Sequence, residues 1–225
     1  MKVALCQINT ILGNFDYNYD NILKFYNKSI QLKSDIVVFP ELVITGYPPQ
    51  DLLLNSEFIN ENLNVLNKIA KNSTKPIIIG YVRAGKKNIY NSAAICFDGK
   101  IQSSYDKVLL PTYDVFDEER YFTSGIKPTV SPIPVGKNVL NVGLQICEDL
   151  WDNNYDCKVS AIQKELGAEI IINISASPFH KNRLVKRRSI IEEKVKSLNL
   201  PFLYCNMVGA QDELIFDGQS IGLSD

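Results

Sequence analysis

The sequence lacks long apolar runs, a secretion signal and the glycine-rich motifs that bind nucleotides. No apolar stretch approaches the roughly 20 residues that a membrane-spanning helix needs, so no membrane association is expected. The start, MKVALCQINT, has neither the long apolar core nor the small-residue cleavage site of a signal peptide, and we interpret it as a first strand. Neither G-x-G-x-x-G nor G-x-x-x-x-G-K-[ST] occurs, which excludes these two modes of phosphate binding.

Paired cysteines and an excess of charge are also missing. The five cysteines include no C-x-x-C pair, so neither a disulfide framework nor a metal site is indicated, and a reducing cytoplasm is expected. The net charge is -1, which argues against nucleic acid as the main partner. The basic run Lys181–Arg188 lies at an expected helix start without interleaved aromatic residues. We interpret it as a solvated helix face with one arginine engaged in a binding site.

The apolar patterns predict strands that alternate with helices. With 225 residues the chain is expected to form one domain, 1–225, with a substantial core. Strands are expected at Lys2–Ile8, Ser34–Phe39, Pro76–Val82, Ile89–Phe97, Lys100–Ser104, Val139–Ile146, Ala168–Ile174, Phe202–Val208 and Leu214–Ile221, the last interrupted by Asp217-Gly218. Helices are expected at Phe15–Lys33, Asn55–Asn72, Val159–Leu166 and Leu184–Leu198.

Two connections in this pattern are informative. Asp98-Gly99 supplies the turn of a hairpin between two of the strands. The segment Val108–Pro134 carries four prolines and is predicted to be a long irregular loop, which in a compact domain is usually functional. The order of elements favours an α/β layered fold with a mixed sheet.

The stretch Gly143–Trp151, with the sequence GLQICEDLW, places a thiol at the end of an apolar run. Cys147 follows Val139–Ile146 directly, and Glu148 and Asp149 come next. A buried strand would deliver Cys147 to its carboxyl end, which is where ligands bind in α/β sheets. The alternative is that Cys147 is a small core residue, as most free cysteines are.

Two more charged residues stand at strand ends. Glu41 closes the run DIVVFPE, and Lys107 closes SSYDK at the end of the hairpin. Taken alone, Glu41 could be a carboxylate at a helix start and Lys107 a solvated surface charge. Together with Cys147 they provide what cleavage of an amide bond requires.

The combined chemistry assigns each group a task. Lys107 can lower the pKa of the Cys147 thiol and later stabilise an oxyanion, while Glu41 can take the thiol proton and pass it to the departing ammonia. The N–H of Glu148, just after the thiol, is suited to complete an oxyanion hole.

The phrases around these residues resemble a known superfamily. FPELVITGYPPQDLL, SYDKVLLPTYDVFDEERYF and ICEDLWD resemble the nitrilase (carbon–nitrogen hydrolase) superfamily, whose signature is a Glu–Lys–Cys triad. GYPPQDLL, LPTYDVFDEERYF, NISASPFHKNR and YCNMVGAQDELIFDGQS are similar to its branch of amino-terminal glutaminase domains of glutamine-dependent NAD synthetases. The resemblance extends from Lys2 to Ser220 and implies a four-layer α-β-β-α sandwich.

By position, the resemblance implies the following roles. Cys147 would be the nucleophile, Glu41 the general base, Lys107 the oxyanion stabiliser, and Glu118 a second carboxylate beside the triad. The residues that would hold glutamine or line its pocket are Tyr113, Ser177, Arg183, Tyr47 and Glu148. Arg183 suits an α-carboxylate because a guanidinium binds carboxylates bidentately. Other interpretations stay open: Tyr47 and Tyr113 could serve packing only, and Glu118 could pair only with Arg120 or a lysine.

The resemblance also implies partners and a limit. Family members carry an ATP-using synthetase domain with an S-G-G-x-D-S loop that is absent from this sequence, so ATP and deamido-NAD would belong to that domain. We expect either a piece of a longer synthetase or a shortened stand-alone protein, acting on L-glutamine without a cofactor. The synthetase domain would be a partner in cis or in trans, and a homo-oligomer is expected.

Three other functions remain open at this point. A Cys147–His180 dyad would make the chain a papain-like thiol enzyme but would leave Glu41 and Lys107 without a task. A free-standing ω-amidase would act on another small amide, and a catalytically idle domain would only dock a synthetase.

Overall fold

The computed structural model describes residues 1–224, which form four α-helices and twelve β-strands. The strands are β1 (Val3–Leu5), β2 (Ile36–Val38), β3 (Ile77–Ala84), β4 (Ile89–Phe97), β5 (Lys100–Asp106), β6 (Val130–Val135), β7 (Asn138–Ile146), β8 (Ile170–Ser175), β9 (Phe202–Asn206), β10 (Val208–Gln211), β11 (Leu214–Asp217) and β12 (Ile221–Leu223). The helices are α1 (Phe15–Gln31), α2 (Ser56–Asn72), α3 (Val159–Glu165) and α4 (Arg183–Leu198).

The strands form two mixed sheets and a small ribbon. The first sheet has the order β1-β2-β3-β4-β5, with β1, β2 and β3 parallel and β4 and β5 antiparallel to their neighbours. The second has the order β12-β9-β8-β7-β6, with a parallel centre of β7, β8 and β9 and an antiparallel strand at each edge. Strands β10 and β11 form the separate antiparallel ribbon.

Each long helix of the first half begins at an asparagine cap and buries one apolar face. The Asn14 side chain accepts from the backbone N–H of Tyr17 at 3.1 Å, and Asn55 accepts from that of Glu57 at 2.8 Å. Ile22 of α1 and Leu66 of α2 are 0% and 1% exposed and pack against the first sheet. Both helices therefore cover one face of that sheet.

Three of the four apolar clusters formed by the described residues follow one another through the layers. The first lies between α1, α2 and the first sheet, and the second lies between the two sheets, with Val38 and Ile78 from one and Leu144 and Ile172 from the other. The third lies between the second sheet and α4. This succession is consistent with the four-layer α-β-β-α arrangement.

Most expected elements are confirmed with shifted ends, and one expectation is wrong. The segment Val108–Pro134 is not irregular throughout, because β6 begins inside it and pairs with β7. Pro132 and Pro134 are tolerated there because β6 is an edge strand and needs no ladder on its outer side. The mixed pairing is divided between two sheets, as the four-layer arrangement implies. The last expected strand is interrupted at Asp217-Gly218 as expected, since β11 ends at Asp217 and joins the ribbon and β12 joins the second sheet.

Within residues 1–224, no helix combines the length and apolar character required to cross a membrane.

Candidate active site

Glu41, Lys107 and Cys147 each follow the end of a strand, and the three strands come from both sheets. Glu41 lies three residues beyond β2, while Lys107 and Cys147 directly follow β5 and β7. Glu41 and Lys107 are 0% and 1% exposed, and Cys147 is 6% exposed. The site is therefore assembled where the edges of the two sheets meet, at the carboxyl end of β7.

The segment that carries Glu41 passes unusually close to β3. A Cβ atom at Gly80 would come within 2.7 Å of the Glu41 carbonyl carbon and closer still to Leu42 N and Pro40 O. Because no side chain fits between these backbone atoms, only glycine allows this crossing.

Lys107 joins two carboxylates. Its Nζ donates to Glu41 Oε1 and to Glu118 Oε1, each at 2.8 Å. Burial alone would lower the pKa of the Lys107 ammonium, but Glu118 and Glu41 together hold this pKa well above its usual value. The lysine is therefore a permanent cation, and its hydrogen-bond donors are held in place.

Glu118 is the second carboxylate at the lysine and also contacts Tyr47. The Tyr47 hydroxyl donates to Glu118 Oε1 at 3.0 Å, and the Tyr47 ring packs edge-on against Phe216. Burial raises the pKa of Glu118 to about 7, against the opposing effect of the Lys107 charge. Arg120 does not contact Glu118 but pairs with Asp51 on the surface. Of the two pairings considered for Glu118, the one with a lysine is the one that forms.

Cys147 has an unusual backbone conformation and a protonated thiol. Its φ is +40°, in the left-handed region that a non-glycine residue adopts at a cost of about 1–3 kcal/mol. Burial raises the pKa of the thiol well above its usual value, the Glu41 charge adds to this, and the Lys107 charge opposes it. Lys107 therefore does lower the pKa of the thiol, as expected, but burial and the Glu41 charge outweigh this effect. A base must therefore remove the thiol proton as the thiol attacks.

Asn91 and Ala176 complete the environment of Glu41, and neither was expected from the sequence. Asn91 Nδ2 donates to Glu41 Oε1 at 2.8 Å, and the N–H of Ala176 donates to Glu41 Oε2 at 2.8 Å. The Oδ1 atom of Asn91 is buried and has no hydrogen-bond partner within residues 1–224. Asn91 lies inside β4, where a polar residue in an apolar run was the only available signal.

Glu148 is held by two tyrosines. The Tyr113 hydroxyl donates to Glu148 Oε2 at 2.8 Å, and the Tyr155 hydroxyl donates to Oε1 at 2.9 Å. Burial raises the pKa of Glu148, and these two hydrogen bonds oppose that rise. Tyr113 is 45% exposed, so it does more than pack in a core. Tyr155 was missed because tyrosine in a polar segment has no distinctive spacing.

Arg183 faces the indole ring of Trp151, with its guanidinium carbon 5.3 Å from the ring centroid. Its Nε atom is buried, and among the described residues its guanidinium makes no hydrogen bond or ion pair. Trp151 and Glu148 line an open groove of about 730 Å³ between the Cys147 turn and α4. The wall of the groove thus contains the Glu148 carboxylate and the Trp151 ring. The Arg183 guanidinium, which is unpaired among the described residues, stacks on that ring.

Ser177 is buried and is held by Arg187, an arginine that the sequence predicted to be exposed to solvent. Ser177 Oγ accepts from Arg187 Nη2 at 3.2 Å, and its N–H donates to Asn206 Oδ1 at 2.9 Å. Arg187 is 0% exposed and also pairs with Asp217 at 3.4 Å. The interpretation of Lys181–Arg188 as a solvated face is therefore wrong at Arg187, which points inward from the first turns of α4.

The histidine alternative has no structural support. His180 is exposed, and its Nδ1 lies 2.8 Å from the carbonyl of the adjacent Lys181. The groups whose charges act on the Cys147 thiol are instead the carboxylates and the lysine described above. The residues brought together at Cys147 are those of a Glu–Lys–Cys arrangement, which suits nucleophilic attack on an amide.

Comparison with known proteins points to one family. The carbon–nitrogen hydrolase family model matches residues 2–222. The chain is 38% identical over 224 residues to a glutamine-dependent NAD(+) synthetase from Thermotoga maritima, covering 98% of this chain and 38% of the relative. It is 36% identical to the Synechocystis enzyme of the same name, covering 99% of this chain and 42% of the relative. The chain therefore spans about two fifths of the length of the curated relatives it matches.

Solved structures show the same fold. The glutamine-dependent NAD+ synthetase of Acinetobacter baumannii superposes with a TM-score of 0.91 at 32% identity, over 99% of this chain and 41% of that one. An amidase of the nitrilase superfamily from Nesterenkonia AN1 superposes with a TM-score of 0.85 at 20% identity, over 100% of this chain and 82% of that one. Because the family model spans almost the whole sequence, this chain belongs to the carbon–nitrogen hydrolase family.

Proposed function

We propose that this chain hydrolyses the side-chain amide of L-glutamine to glutamate and ammonia. The observation that supports this most strongly is the buried cluster in which Lys107 contacts both Glu41 and Glu118 at 2.8 Å and acts electrostatically on the Cys147 thiol. A permanent cation, a carboxylate base and a thiol at one strand end are the groups that amide hydrolysis through a thioester requires.

The first half of the proposed reaction forms the thioester. Cys147 Sγ attacks the amide carbon while Glu41 takes the thiol proton, and Lys107 Nζ and the Glu148 N–H stabilise the oxygen that becomes negative. The carbon–nitrogen bond then breaks, and the proton on Glu41 passes to the departing nitrogen, which leaves as ammonia. In the second half, Glu41 takes a proton from water and the resulting hydroxide attacks the thioester carbon. The carbon–sulfur bond then breaks, the proton on Glu41 passes to the departing Cys147 sulfur, and glutamate is released.

Glutamine is favoured over uncharged amides by the polar groups of the groove. A free amino acid has an α-ammonium and an α-carboxylate, and both lose water on binding. The Glu148 carboxylate, held by Tyr113 and Tyr155, suits the ammonium, and the unpaired Arg183 guanidinium suits the carboxylate. We also propose substrate contacts for Ser177, fixed by Arg187, and for Tyr47, at Glu118; neither residue lines this groove, and Tyr47 lines a separate cavity together with Glu118.

The longer relatives suggest where the ammonia goes. Because the curated relatives are glutamine-dependent NAD(+) synthetases, we propose that this domain supplies ammonia to a synthetase domain, in cis or in trans. ATP and deamido-NAD would bind that domain, and the glutaminase reaction itself would need no metal or cofactor. We place the reaction in the cytoplasm, since the five cysteines are free. We also expect the chain to form a homo-oligomer, and light scattering would measure its mass in solution.

The proposal is tested by measuring ammonia release from glutamine, asparagine and butyramide by the chain and by Cys147→Ala. We expect glutamine to be turned over fastest and the variant to be inactive. Hydroxylamine added to the parent should trap the thioester as γ-glutamyl hydroxamate. Faster turnover of butyramide would favour an ω-amidase, and no turnover with or without an added synthetase domain would favour an idle docking domain.

A further inference from the structure

Asp149 is a buried carboxylate that connects the two segments on which Lys107 and Cys147 lie. Its Oδ1 accepts from the N–H groups of Val108 at 3.1 Å and Leu109 at 2.9 Å, the two residues after Lys107. Its Oδ2 accepts from the N–H of Ile146 at 3.0 Å, the residue before Cys147. Asp149 is 0% exposed, so it has no access to a substrate.

A fourth hydrogen bond comes from the strand that leads to Lys107. The Tyr105 hydroxyl donates to Asp149 Oδ2 at 2.9 Å, and Tyr105 lies in β5, two residues before the lysine. Residues on both sides of Lys107 and the residue before Cys147 are therefore bound to one carboxylate. Because β5 and β7 belong to different sheets, backbone pairing within either sheet does not set the distance between their ends.

We propose that Asp149 is a positioning residue that fixes the position of Lys107 relative to the turn that carries Cys147, across the two sheets. This proposal rests on the hydrolysis proposed above and deepens it. Cys147 adopts a left-handed backbone conformation, which persists only where surrounding contacts determine it. The hydrogen bond from the Ile146 N–H to Asp149 closes the turn that contains Cys147. The hydrogen bonds from the N–H groups of Val108 and Leu109 hold the backbone that follows Lys107.

The chemistry of the site requires a carboxylate rather than an amide. Three of the four partners of Asp149 are backbone N–H groups, which only donate. In either orientation an asparagine amide would turn its NH₂ toward at least one of them and leave that N–H buried without a partner. Burial raises the pKa of Asp149 to about 6, and the backbone donors oppose that rise. The group is therefore ionised at mildly alkaline pH.

The test compares Asp149→Asn with Asp152→Asn. Asp152 is a matched control because it is also 0% exposed and lies three residues further on, but its partners are Lys194 and the N–H of Ser160. For Asp149→Asn we expect kcat for glutamine to fall about 10²-fold, because a small misplacement of reacting groups has that effect. KM should change by less than about threefold, since the substrate contacts remain. Asp152→Asn should lower the unfolding temperature and leave kcat near that of the parent.

A second measurement does not depend on the substrate. The rate at which iodoacetamide alkylates Cys147, located by peptide mass spectrometry, reports how readily Glu41 and Lys107 generate the thiolate. We expect Asp149→Asn to slow this alkylation about tenfold and Asp152→Asn to leave it unchanged. If the parent hydrolyses no amide but alkylation responds in this way, the proposed hydrolysis fails while the positioning role stands.

Two results would overturn the positioning role. One is an Asp149→Asn variant with parental kcat and alkylation rate, and the other is an equal loss in Asp152→Asn, which would indicate general destabilisation. If Asp149→Asn does not fold, Tyr105→Phe decides, because it removes one donor and keeps the carboxylate. A kcat lowered about threefold or more, at unchanged KM, supports the role, and parental kcat in Tyr105→Phe refutes it.

Discussion

Replacing Lys107 by methionine tests the electrostatics of the site most directly. The ammonium is 1% exposed and contacts two buried carboxylates at 2.8 Å. Removing one partner of a buried ion pair destabilises a protein by about 3–5 kcal/mol, because the remaining charge is uncompensated. Methionine has nearly the length of lysine, so packing changes little, and we expect a loss in this range near neutral pH.

The loss should depend on pH with a defined sign. In the parent, burial raises the pKa of Glu118 to about 7, and the Lys107 charge lowers it toward that value. Without the lysine the pKa of Glu118 rises further, so above about pH 7 the folded variant keeps a proton that the folded parent has lost. The difference in unfolding free energy should therefore grow by about 2 kcal/mol between pH 7 and about pH 8.5. The Lys107 ammonium itself stays protonated in the folded and unfolded parent over this range.

The assay is urea unfolding of parent and variant at both pH values, together with ammonia release from glutamine. Lys194→Met is the matched control, since Lys194 pairs with Asp152, a buried carboxylate outside the site. Both variants should be destabilised, but only Lys107→Met should lose turnover, by about 10²–10³-fold, the usual effect of removing an oxyanion donor. A stability difference that does not widen above pH 7, or equal loss of turnover in both variants, would refute the reasoning.

Four further outcomes are expected. In Glu118→Gln, the unfolding free energy relative to the parent should rise by about 3 kcal/mol as the pH increases from about 4.5 to 7. Burial raises the pKa of Glu118, so over this range the folded parent keeps a proton that the unfolded parent loses, and only the parent becomes less stable; urea unfolding across this range measures the difference. Arg183→Met should raise KM for glutamine about 10–100-fold and leave butyramide turnover unchanged, which steady-state kinetics with both amides would show. Gly80→Ala should lower kcat by about 10²-fold or more, because a Cβ would displace the Glu41 segment; Gly222→Ala, where φ is not positive and a Cβ would meet only the end of the Leu203 side chain at 3.2 Å, is the control. Arg187→Met should destabilise the fold by about 3–5 kcal/mol in urea, because Asp217 loses its buried partner.

Local patterns in the sequence were sufficient for most of the secondary structure. The apolar spacing that includes Ile22 and Tyr26 predicted α1, because a helix has to bury one stripe of residues whatever it packs against. Asp98-Gly99 predicted the hairpin between β4 and β5, and both residues have positive φ. The failure was at Val130–Val135, where prolines concealed an edge strand. A proline is tolerated where its position faces the unpaired side of an edge strand. Which strand lies at an edge is decided by the assembly of the whole sheet, so the local sequence could not show it.

The strand ends pointed to part of the site for a similar physical reason. Glu41 and Cys147 stand out because each follows an apolar run at the point where a buried strand must end, whereas Lys107 follows the polar segment SSYDK and stands out only as a charge at the end of the hairpin. Arg187 and Asp149 do not stand out, since a basic residue in a polar helix and an acidic residue in a turn are ordinary. Their burial follows from the packing of α4 on the second sheet and of β5 beside β7.

The sequence by itself therefore determined the order of strands and helices and the residue types at the strand ends, because both depend on neighbours along the chain. Only the tertiary structure decided that Lys107 is shared by Glu41 and Glu118, that the Cys147 thiol stays protonated at rest, and that Asp149 links two sheets. These features depend on burial and on distances between segments far apart in the chain. The physical reason is that desolvation and charge act through space, so they take definite values only once the two sheets have packed together.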